Sequence, residues 1–363
     1  MVSINGEDIK SLISELGEYG ESLGPLDDVS KDILEILNMS TKASSEVNHN
    51  VWIENLMNTQ RFPEFKLLTH DNIFAHQVRL SNIVRELSYF FDEINFHGHF
   101  QTRINVGYLF SLALVHDDTE GINPLKDIPT NLKNSLSDKS KKILYEIEKS
   151  CIDVLSNHQI EHLKDFSKDE LRGLYFDAES KTSLEGQLLS YLDKVDGFLF
   201  TLHEIYNGNT GLIIAFNNYI NILKSIKEDK NKYPMIRFLI DADIDSLRNI
   251  IGNSFLFSNQ ELIGMDLQIG DNMKNRLLGF VELFNLEGLI KIDIDRIIKS
   301  DNQNNKSDYE TLRDMTGIFT DSMPQIKSTG IIAYDAWKIA YSNVGYYNGG
   351  ELVNGTDLMF KKD

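Results

Sequence analysis

The chain of 363 residues can bury a large core, and its 41% hydrophobic and 25% charged residues are typical of globular rather than disordered proteins. Its formal net charge of -19 disfavours nucleic acid as the main partner, because a binder of DNA or RNA normally carries a basic stripe. A small phosphorylated substrate stays open, since a bound divalent cation inverts the local field.

Redox state and location follow from equally simple features. Cys151 is the single cysteine, so no intrachain disulfide can form. The first residues lack the basic and apolar regions of a signal peptide, and no apolar run approaches the roughly 18 residues of a membrane span. These features predict a soluble, cytoplasmic protein without a membrane partner.

The whole chain has only 6 prolines and is rich in Leu, Ile, Lys and Glu, a composition that favours helices. We predict that the first two thirds of the chain are mainly helical. Apolar residues at spacings of three and four predict helical segments within 7–57, over 73–91 and over 104–115. The last segment is so apolar that we expect it to lie in the centre of the fold. Further helices are predicted over 139–158, 183–206 and 212–227.

The character of the sequence changes after about residue 230. Residues 301–308 are a polar stretch typical of a linker, and 346–350 (Tyr-Tyr-Asn-Gly-Gly) have strand and turn composition. We therefore predict a mostly α protein with three regions. These are an N-terminal helical extension over 1–50, a helical domain over 51–230, and a C-terminal accessory region over 231–363 with α+β character.

The segment His-Asp-Asp-Thr-Glu at residues 116–120 directly follows the apolar helix. Polar groups there are costly to bury unless something pairs with them, and a divalent metal is a suitable partner. His116 offers an imidazole nitrogen and Asp117 a carboxylate oxygen, a mixed set that suits Mn, Fe, Co, Ni or Zn. Glu120 lies at i+4 from His116 and i+3 from Asp117, so we expect its carboxylate to share their helix face and to orient or deprotonate a water near the metal without being a ligand.

His76 and Asp193 lie on the helices before and after this segment. Alone, a helical histidine is usually a core or surface residue, and a helical aspartate is usually solvated. The ordered set of His, His-Asp and Asp on successive helices is what favours a metal site. Two other histidine pairs are weaker candidates for metal ligands. His97 and His99 lie in a predicted loop, and His158 and His162 lie on a helix face that we predict to be solvated.

This ordered set resembles the HD superfamily of metal-dependent phosphohydrolases. The resemblance is narrower to the HD-domain 5'-deoxynucleotidases, which remove phosphate from deoxyribonucleoside 5'-monophosphates. Arg61-Phe62-Pro63 stands where that family has Arg-Trp-Pro, and residues 116–120 match its His-Asp-x-x-Glu. Residues 126–130, Lys-Asp-Ile-Pro-Thr, resemble its Gly-Asp-Leu-Pro-Thr. The family's Glu-x-x-x-Gly-Asn is matched by Glu204, Gly208 and Asn209, and the resemblance covers about residues 55–225.

The resemblance implies a role for each matched residue. It makes four side chains the ligands of one divalent transition metal, with Mg also accepted: His76, His116, Asp117 and Asp193. It implies that Glu120 handles the nucleophilic water, that Arg61 holds the phosphate, and that Asp127 contacts the sugar 3'-hydroxyl. Phe62 replaces the tryptophan that shapes the family's sugar pocket, so it bears on substrate identity. The resemblance also implies a homodimer.

Two alternatives stay open. A deoxynucleoside triphosphohydrolase uses the same metal set but needs more basic groups, and the candidates near this region do not decide the matter: Arg79, Arg85, Arg103, Lys126 and Lys133. A catalytically silent nucleotide-binding regulatory protein would have lost a ligand or Glu120, and all of these are present. A nuclease is disfavoured by the charge.

Overall fold

The computed structural model describes residues 4–40, 49–69, 71–98, 103–159, 167–207, 209–286, 345–348 and 351–354. Within these ranges the chain forms fifteen α-helices and one antiparallel hairpin, so the predicted mostly α class is confirmed. None of these helices combines the length and the apolar character that crossing a membrane requires.

The elements have the following bounds. The helices before the His-Asp segment are α1 Gly6–Glu15, α2 Glu18–Ser22, α3 Leu26–Met39, α4 His49–Asn58, α5 Ile73–His97 and α6 Val106–Val115. After a 3-10 helix, Asp118–Gly121, come α7 Thr130–Ser135, α8 Asp138–Gln159, α9 Lys168–Ser180, α10 Leu184–Tyr206 and α11 Ile213–Glu228. Then follow α12 Arg237–Asp241, α13 Ile244–Gly252, α14 Phe255–Ser258 and α15 Leu267–Val281, with three further 3-10 turns: Thr210–Leu212, Pro234–Ile236 and Glu282–Phe284. The hairpin pairs β1 Gly345–Asn348 with β2 Glu351–Asn354.

The chain divides into two compact units. The first takes in Met1–Pro63, Asp71–Gln77 and Val115–Ser180, and the second takes in Glu64–His70, Val78–Leu114 and Lys181–Asp363. The three predicted regions 1–50, 51–230 and 231–363 stay a prediction.

The core of the first unit is built on α1. Its buried residues Ile9, Leu12 and Ile13 recur at helical spacing, so they form one apolar face. Asn5 starts the helix, because its side chain accepts a hydrogen bond from the backbone N–H of Asp8, and the Asp8 carboxylate accepts one from the backbone N–H of Asn5. The apolar face joins one cluster with α3, α8 and the loop ahead of α7: Ile9, Leu12, Ile13, Leu16, Val29, Ile33, Leu125, Ile128, Leu136, Ile143, Leu144, Ile147 and Cys151.

Polar contacts fix the end of α1 to the start of α8. The Glu15 carboxylate accepts hydrogen bonds from the Ser137 backbone N–H at 2.8 Å, the Ser137 hydroxyl at 2.9 Å and the Ser140 hydroxyl at 2.7 Å. These bonds hold the pKa of Glu15 below its usual value, first through the Ser137 N–H. A carboxylate at a helix N-terminus also complements the helix dipole. The N-terminal helices are therefore integral to the first unit.

The second unit is centred on α10. Phe198 of α10 stacks on Phe216 of α11 with ring centroids 5.0 Å apart. Arg79 of α5 and Asp196 of α10 form a fully buried bidentate pair, with Nε–Oδ1 at 2.6 Å and Nη2–Oδ2 at 2.8 Å. Each charge satisfies the other, which is what permits both to be buried.

The sequence prediction for α6 was wrong in one respect. Leu109, Leu112 and Ala113 are buried, but Phe110 is 36% and Leu114 43% exposed, so the helix is not central. A helix buries only the face that its neighbours cover, and an apolar composition on every side does not decide how many faces are covered.

Other predicted boundaries hold within one or two residues, with two larger differences. The helix predicted over 73–91 continues to His97, and α7, α9 and α12–α15 were not predicted at all. Residues 346–348 lie in the hairpin, consistent with their strand composition, whereas the polar stretch 301–308 lies outside the described residues.

Candidate metal centre and active site

Backbone pairing places the start of α5 beside the Arg61 segment. The Arg61 N–H donates to the Asp71 carbonyl at 3.2 Å, and the Ile73 N–H donates to the Thr59 carbonyl at 3.1 Å. Two short extended pieces are thereby held antiparallel. The first turn of α5, which carries His76, begins where this pairing ends.

His76 is held in that first turn by helix capping. Asn72 lies just ahead of α5, and its Oδ1 accepts a hydrogen bond from the Ala75 N–H at 2.8 Å. The His76 N–H donates to the Asn72 carbonyl at 3.0 Å, and His76 is 1% exposed. Asn is a favoured residue at helix starts, because its side chain satisfies a free N–H of the first turn.

Arg61 is buried and paired. Its Nη1 lies 3.4 Å from Asp71 Oδ2, and its Cζ lies 5.3 Å from the centroid of the Phe62 ring. Phe62 has a φ of +54°, a conformation that is costly for a bulky residue and more so ahead of Pro63. The structure therefore places the predicted phosphate residue beside a carboxylate and an aromatic ring, and its phosphate role stays a prediction.

His116 and Asp117 meet His76 in the first unit. The chain leaves α6 at Val115, and His116 Nε2 lies 3.2 Å from His76 Nε2 with the rings edge to face. Asp117 Oδ2 lies 3.1 Å from His116 Nε2 and 3.6 Å from His76 Nε2. Three of the four predicted ligands thus converge.

The convergence fits a divalent metal by the chemistry of its donors. His76 and His116 belong to a group of side chains that could hold a metal ion. The Nε2 atoms of His76 and His116 lie 3.2 Å apart, and one cation could accept a lone pair from each of them. A carboxylate oxygen beside two imidazole nitrogens is a mixed N and O donor set, which suits transition metals.

Asp118, which the sequence analysis left without a role, anchors the loop behind the metal centre. Its Oδ1 accepts a hydrogen bond from Gln77 Nε2 at 2.9 Å and its Oδ2 one from the Tyr175 hydroxyl at 3.0 Å. The Trp52 indole N–H donates to the Asp118 carbonyl at 3.0 Å. Burial raises the pKa of Asp118 to about 7, against the lowering by Gln77 and Tyr175. These bonds tie α4, α5 and α9 to the segment that carries the ligands.

Glu120 differs from its expected placement. The shared α-helical face with His116 does not form, because α6 ends before His116 and Asp118–Gly121 is a 3-10 helix. Among the described residues, no hydrogen-bond partner contacts the buried Oε2 atom of Glu120. Glu120 also lines a cavity of about 420 Å³ together with residues of α3 and α4.

Electrostatics around Glu120 come from burial and from a group of acidic neighbours. Burial raises the pKa of Glu120 well above its usual value, Asp127 and Asp117 raise it further, and Lys133 opposes them. The pKa of Lys133 is itself raised, because Glu148 and then Glu120 outweigh the effect of burial. Lys133 Nζ lies 3.3 Å from Glu148 Oε1, so this lysine is already engaged as a countercharge.

Asp127 lies in the loop that follows the Glu120 turn. The loop is tightly turned, since the Lys126 N–H donates to the Asn123 carbonyl at 2.9 Å and Lys126 has a φ of +52°. Asp127 lines a second cavity, of about 220 Å³, whose walls include Pro63. The structure therefore brings Pro63 and the Asp127 loop to one cavity.

Asp193 lies on α10, in the second unit. Its Oδ2 accepts a hydrogen bond from Lys194 Nζ at 2.6 Å. The negative charge of the Asp193 carboxylate is the main reason why the pKa of Lys194 is raised. Its role as a metal ligand stays a prediction.

Glu204 and Asn209, matched to a motif without an assigned role, have a structural one. The buried Glu204 carboxylate accepts the backbone N–H groups of Leu68 and Thr69, each at 2.8 Å, and the Thr69 hydroxyl. Asn209 Nδ2 donates to Glu204 Oε2 at 2.6 Å and to the Lys66 carbonyl at 2.9 Å. The pair thus holds the loop between Arg61 and α5, while Gly208 lies outside the described residues.

The weaker histidine candidates do not join the site as far as the structure describes them. His97 Nε2 lies 3.4 Å from Glu93 Oε2, one turn earlier on α5. His99 and His162 lie outside the described residues, as does the side chain of His158.

Sequence reasoning missed the residues that support the site. Asn72 had a usable signal, since an Asn directly before an apolar helical run is a start signature. Asp118 and Tyr175 had none, because they meet across 57 residues of sequence.

Comparison with protein families gives one match. Residues 48–242, more than half of the chain, match the family described as 5'-deoxynucleotidase YfbR-like. No curated protein and no solved structure matches the chain significantly. The matched range begins at α4, so α1–α3 precede it.

Proposed function

Because the chain belongs to the YfbR-like 5'-deoxynucleotidase family, an HD-domain phosphohydrolase family, we propose that it removes phosphate from deoxyribonucleoside 5'-monophosphates in a metal-dependent reaction. Membership of this family implies that the chain is a hydrolase. We expect the reaction in the cytoplasm, and the family resemblance implies that the protein is a homodimer.

The observation that carries the proposal is the meeting of His76 Nε2 and His116 Nε2 at 3.2 Å beside the Asp117 carboxylate. We propose that these donors hold one divalent cation, which would be Mn, Co, Fe, Ni or Zn, with Mg also accepted. Asp193 is the proposed fourth ligand, from its place in the ordered set. A cation held there supplies positive charge that favours a water nucleophile and offsets charge on the phosphoryl oxygens.

The protein's own residues would supply proton transfer and phosphate binding. Glu120 carries a buried carboxylate oxygen at the turn after the ligands, so it can take the proton from the attacking water. Arg61 has a planar, forked guanidinium that suits two phosphate oxygens at once.

Substrate choice is the finer part of the proposal. Asp127 would accept a hydrogen bond from the sugar 3'-hydroxyl, and loss of that hydroxyl would leave a desolvated carboxylate unpaired. Phe62 would present an apolar wall where a ribose 2'-hydroxyl has no partner. Each effect is on the order of 1–3 kcal/mol, or roughly 5- to 150-fold in rate.

The supply of basic groups does not decide between monophosphates and triphosphates. Of the candidates named from the sequence, Arg79 is fully buried in its pair with Asp196, and Lys133 lies 3.3 Å from Glu148. Lys126, however, is exposed and lines both cavities, so a cation is available for a longer phosphate chain. The triphosphohydrolase alternative therefore stays open.

A phosphate-release screen tests the proposal. The purified protein would be assayed on deoxy- and ribonucleoside 5'-monophosphates, 3'-monophosphates and deoxynucleoside triphosphates, with Mn, Co, Mg or chelator. We expect deoxyribonucleoside 5'-monophosphates to be cleaved fastest and chelator to abolish release. Equal rates on ribo- and deoxyribonucleotides, or activity confined to triphosphates, would refute the substrate assignment.

Two histidine variants give the matched comparison. His116→Ala should lose bound metal and activity, whereas His97→Ala, on the partly exposed surface of α5, should keep both. Nucleotide binding without phosphate release under any metal would instead support the silent regulatory protein.

A further inference from the structure

The helices ahead of the family region contact the loop that carries Asp127. The Tyr19 hydroxyl of α2 lies 2.8 Å from the Leu125 carbonyl oxygen and 2.9 Å from the Asp127 carbonyl oxygen. A tyrosine hydroxyl has one hydrogen, so the two carbonyls share it. The contact spans 106 and 108 residues of sequence and joins α2 to the backbone of a proposed substrate residue.

The two carbonyls flank a strained residue. Lys126 lies between them with a φ of +52°, in the left-handed region that non-glycine residues rarely adopt. Leu125 and Ile128 on either side are buried in the cluster that includes Ile9 and Ile33. The packing of Leu125 and Ile128 and the hydrogen bond from Tyr19 thus both hold the turn that contains Asp127.

The same helix lines the cavity where the sugar would lie. The cavity of about 220 Å³ is bounded by Tyr19 and Leu23 on one side and by Pro63 and Asp127 on others. It shares Asn58, Thr59 and Lys126 with the larger cavity that Glu120 lines. The cavity lined by Glu120 and the cavity lined by Asp127 thus share part of their walls, and Tyr19 of α2 lines the smaller one.

We propose that Tyr19 is a positioning residue that sets how strongly Asp127 reads the 3'-hydroxyl of the sugar. The N-terminal helices, which precede the family region, thereby become part of the substrate-recognition machinery. This inference rests on the proposed function, because it assigns the 3'-hydroxyl contact to the same site.

The test compares Tyr19→Phe with the unchanged protein on two substrates. One is a deoxynucleoside 5'-monophosphate, and the other is its 2',3'-dideoxy analogue, which lacks the 3'-hydroxyl. We expect KM for the deoxy substrate to rise about 5- to 10-fold with kcat changed less than about 2-fold, the scale of one lost hydrogen bond. The KM for the dideoxy analogue should stay unchanged, so discrimination between the two falls by the same factor.

Two further variants calibrate this result. Asp127→Ala, which has no hydrogen-bond acceptor in its side chain, should remove the discrimination altogether. Tyr145→Phe makes the same chemical change as Tyr19→Phe on an exposed tyrosine of α8 and should leave the discrimination intact. In the metal-free protein, hydrogen exchange at the Lys126 and Ile128 amides should be faster in Tyr19→Phe than in Tyr145→Phe.

Each other outcome overturns the inference. Equal losses on both substrates would give Tyr19 a merely structural role, and unchanged discrimination would give it none. If the unchanged protein cleaves deoxynucleotides but ignores the 3'-hydroxyl, the inference fails while the proposed function stands. If it cleaves no deoxynucleoside monophosphate with any metal, both fail.

Discussion

At the scale of single residues, the proposed chemistry depends on one carboxylate. A buried carboxylate oxygen without a hydrogen bond is costly, and Glu120 Oε2 is such an atom among the described residues. Glu120 follows the proposed ligand Asp117 by three residues, and Asp117 helps to raise its pKa. The proposed purpose of the buried oxygen is to accept a proton from the water that attacks the phosphate.

Glu120→Gln tests that purpose. An amide keeps the size of the side chain but cannot take a proton, so turnover should fall by roughly 10²-fold or more. Bound metal, measured by elemental analysis after dialysis, should stay at the level of the unchanged protein. Loss of the metal in this variant would make Glu120 a ligand and contradict the assignment.

A second prediction at this scale concerns the buried pair of Arg79 and Asp196. Arg79→Met should lower the free energy of unfolding by about 3–5 kcal/mol, because it leaves a buried carboxylate without its partner. The double variant Arg79→Met/Asp196→Leu should recover much of the loss, since the remaining charge is gone as well.

Denaturant unfolding measures both variants against Arg85→Met on the same helix. Arg85 is exposed and lies 3.8 Å from Glu86, so its replacement should cost no more than about 1 kcal/mol. If Arg79→Met matched Arg85→Met, the buried pair would contribute nothing to stability, and Arg79 would again be a candidate for binding phosphate.

At the scale of elements, much of the site could be predicted because its residues lie close to helix signals. The start of the His76 helix, the end of α6 and both ends of α10 were predicted within one or two residues. The 3-10 turn at Asp118–Gly121 was not, because the choice between continuing and leaving a helix depends on tertiary bonds to Gln77, Trp52 and Tyr175. Local sequence carries no record of those partners.

The Glu204 contacts give a prediction for the loop ahead of α5. In Glu204→Gln, one amide oxygen must replace a carboxylate that accepts from Leu68, Thr69 and Asn209. Hydrogen exchange at the Leu68 and Thr69 amides should become about 10-fold faster or more, since a hydrogen bond to a charged acceptor is lost. Glu228→Gln, at the exposed end of α11, is the control and should leave these amides unchanged. Unchanged exchange in Glu204→Gln would mean that the loop is held by other contacts.

At the scale of the whole molecule, the position of the N-terminal helices could not be read from the sequence. Their amphipathic pattern predicts a buried face but not its partner. The structure gives the partner as α8 and the Asp127 loop, where Leu125, Ile128 and Ile147 are almost fully buried in the shared cluster. Apolar residues of α1 and α3 thus share one buried cluster with α8 and the Asp127 loop in the first unit.

The same packing predicts that the family region needs its N-terminal helices to fold. A chain that begins at residue 48 would expose six or more apolar side chains of the shared cluster, each worth about 1.5–3 kcal/mol when buried. Their sum is comparable to the roughly 5–15 kcal/mol by which a domain is stable, so we expect no cooperative thermal transition by circular dichroism. In the full chain, Leu12→Ala should cost about 2–5 kcal/mol, whereas Leu26→Ala, 41% exposed on α3, should cost less than about 1 kcal/mol. A shortened chain that melts cooperatively at the temperature of the full chain would show that α1–α3 merely decorate the enzyme, and it would also remove the packing on which the role of Tyr19 depends.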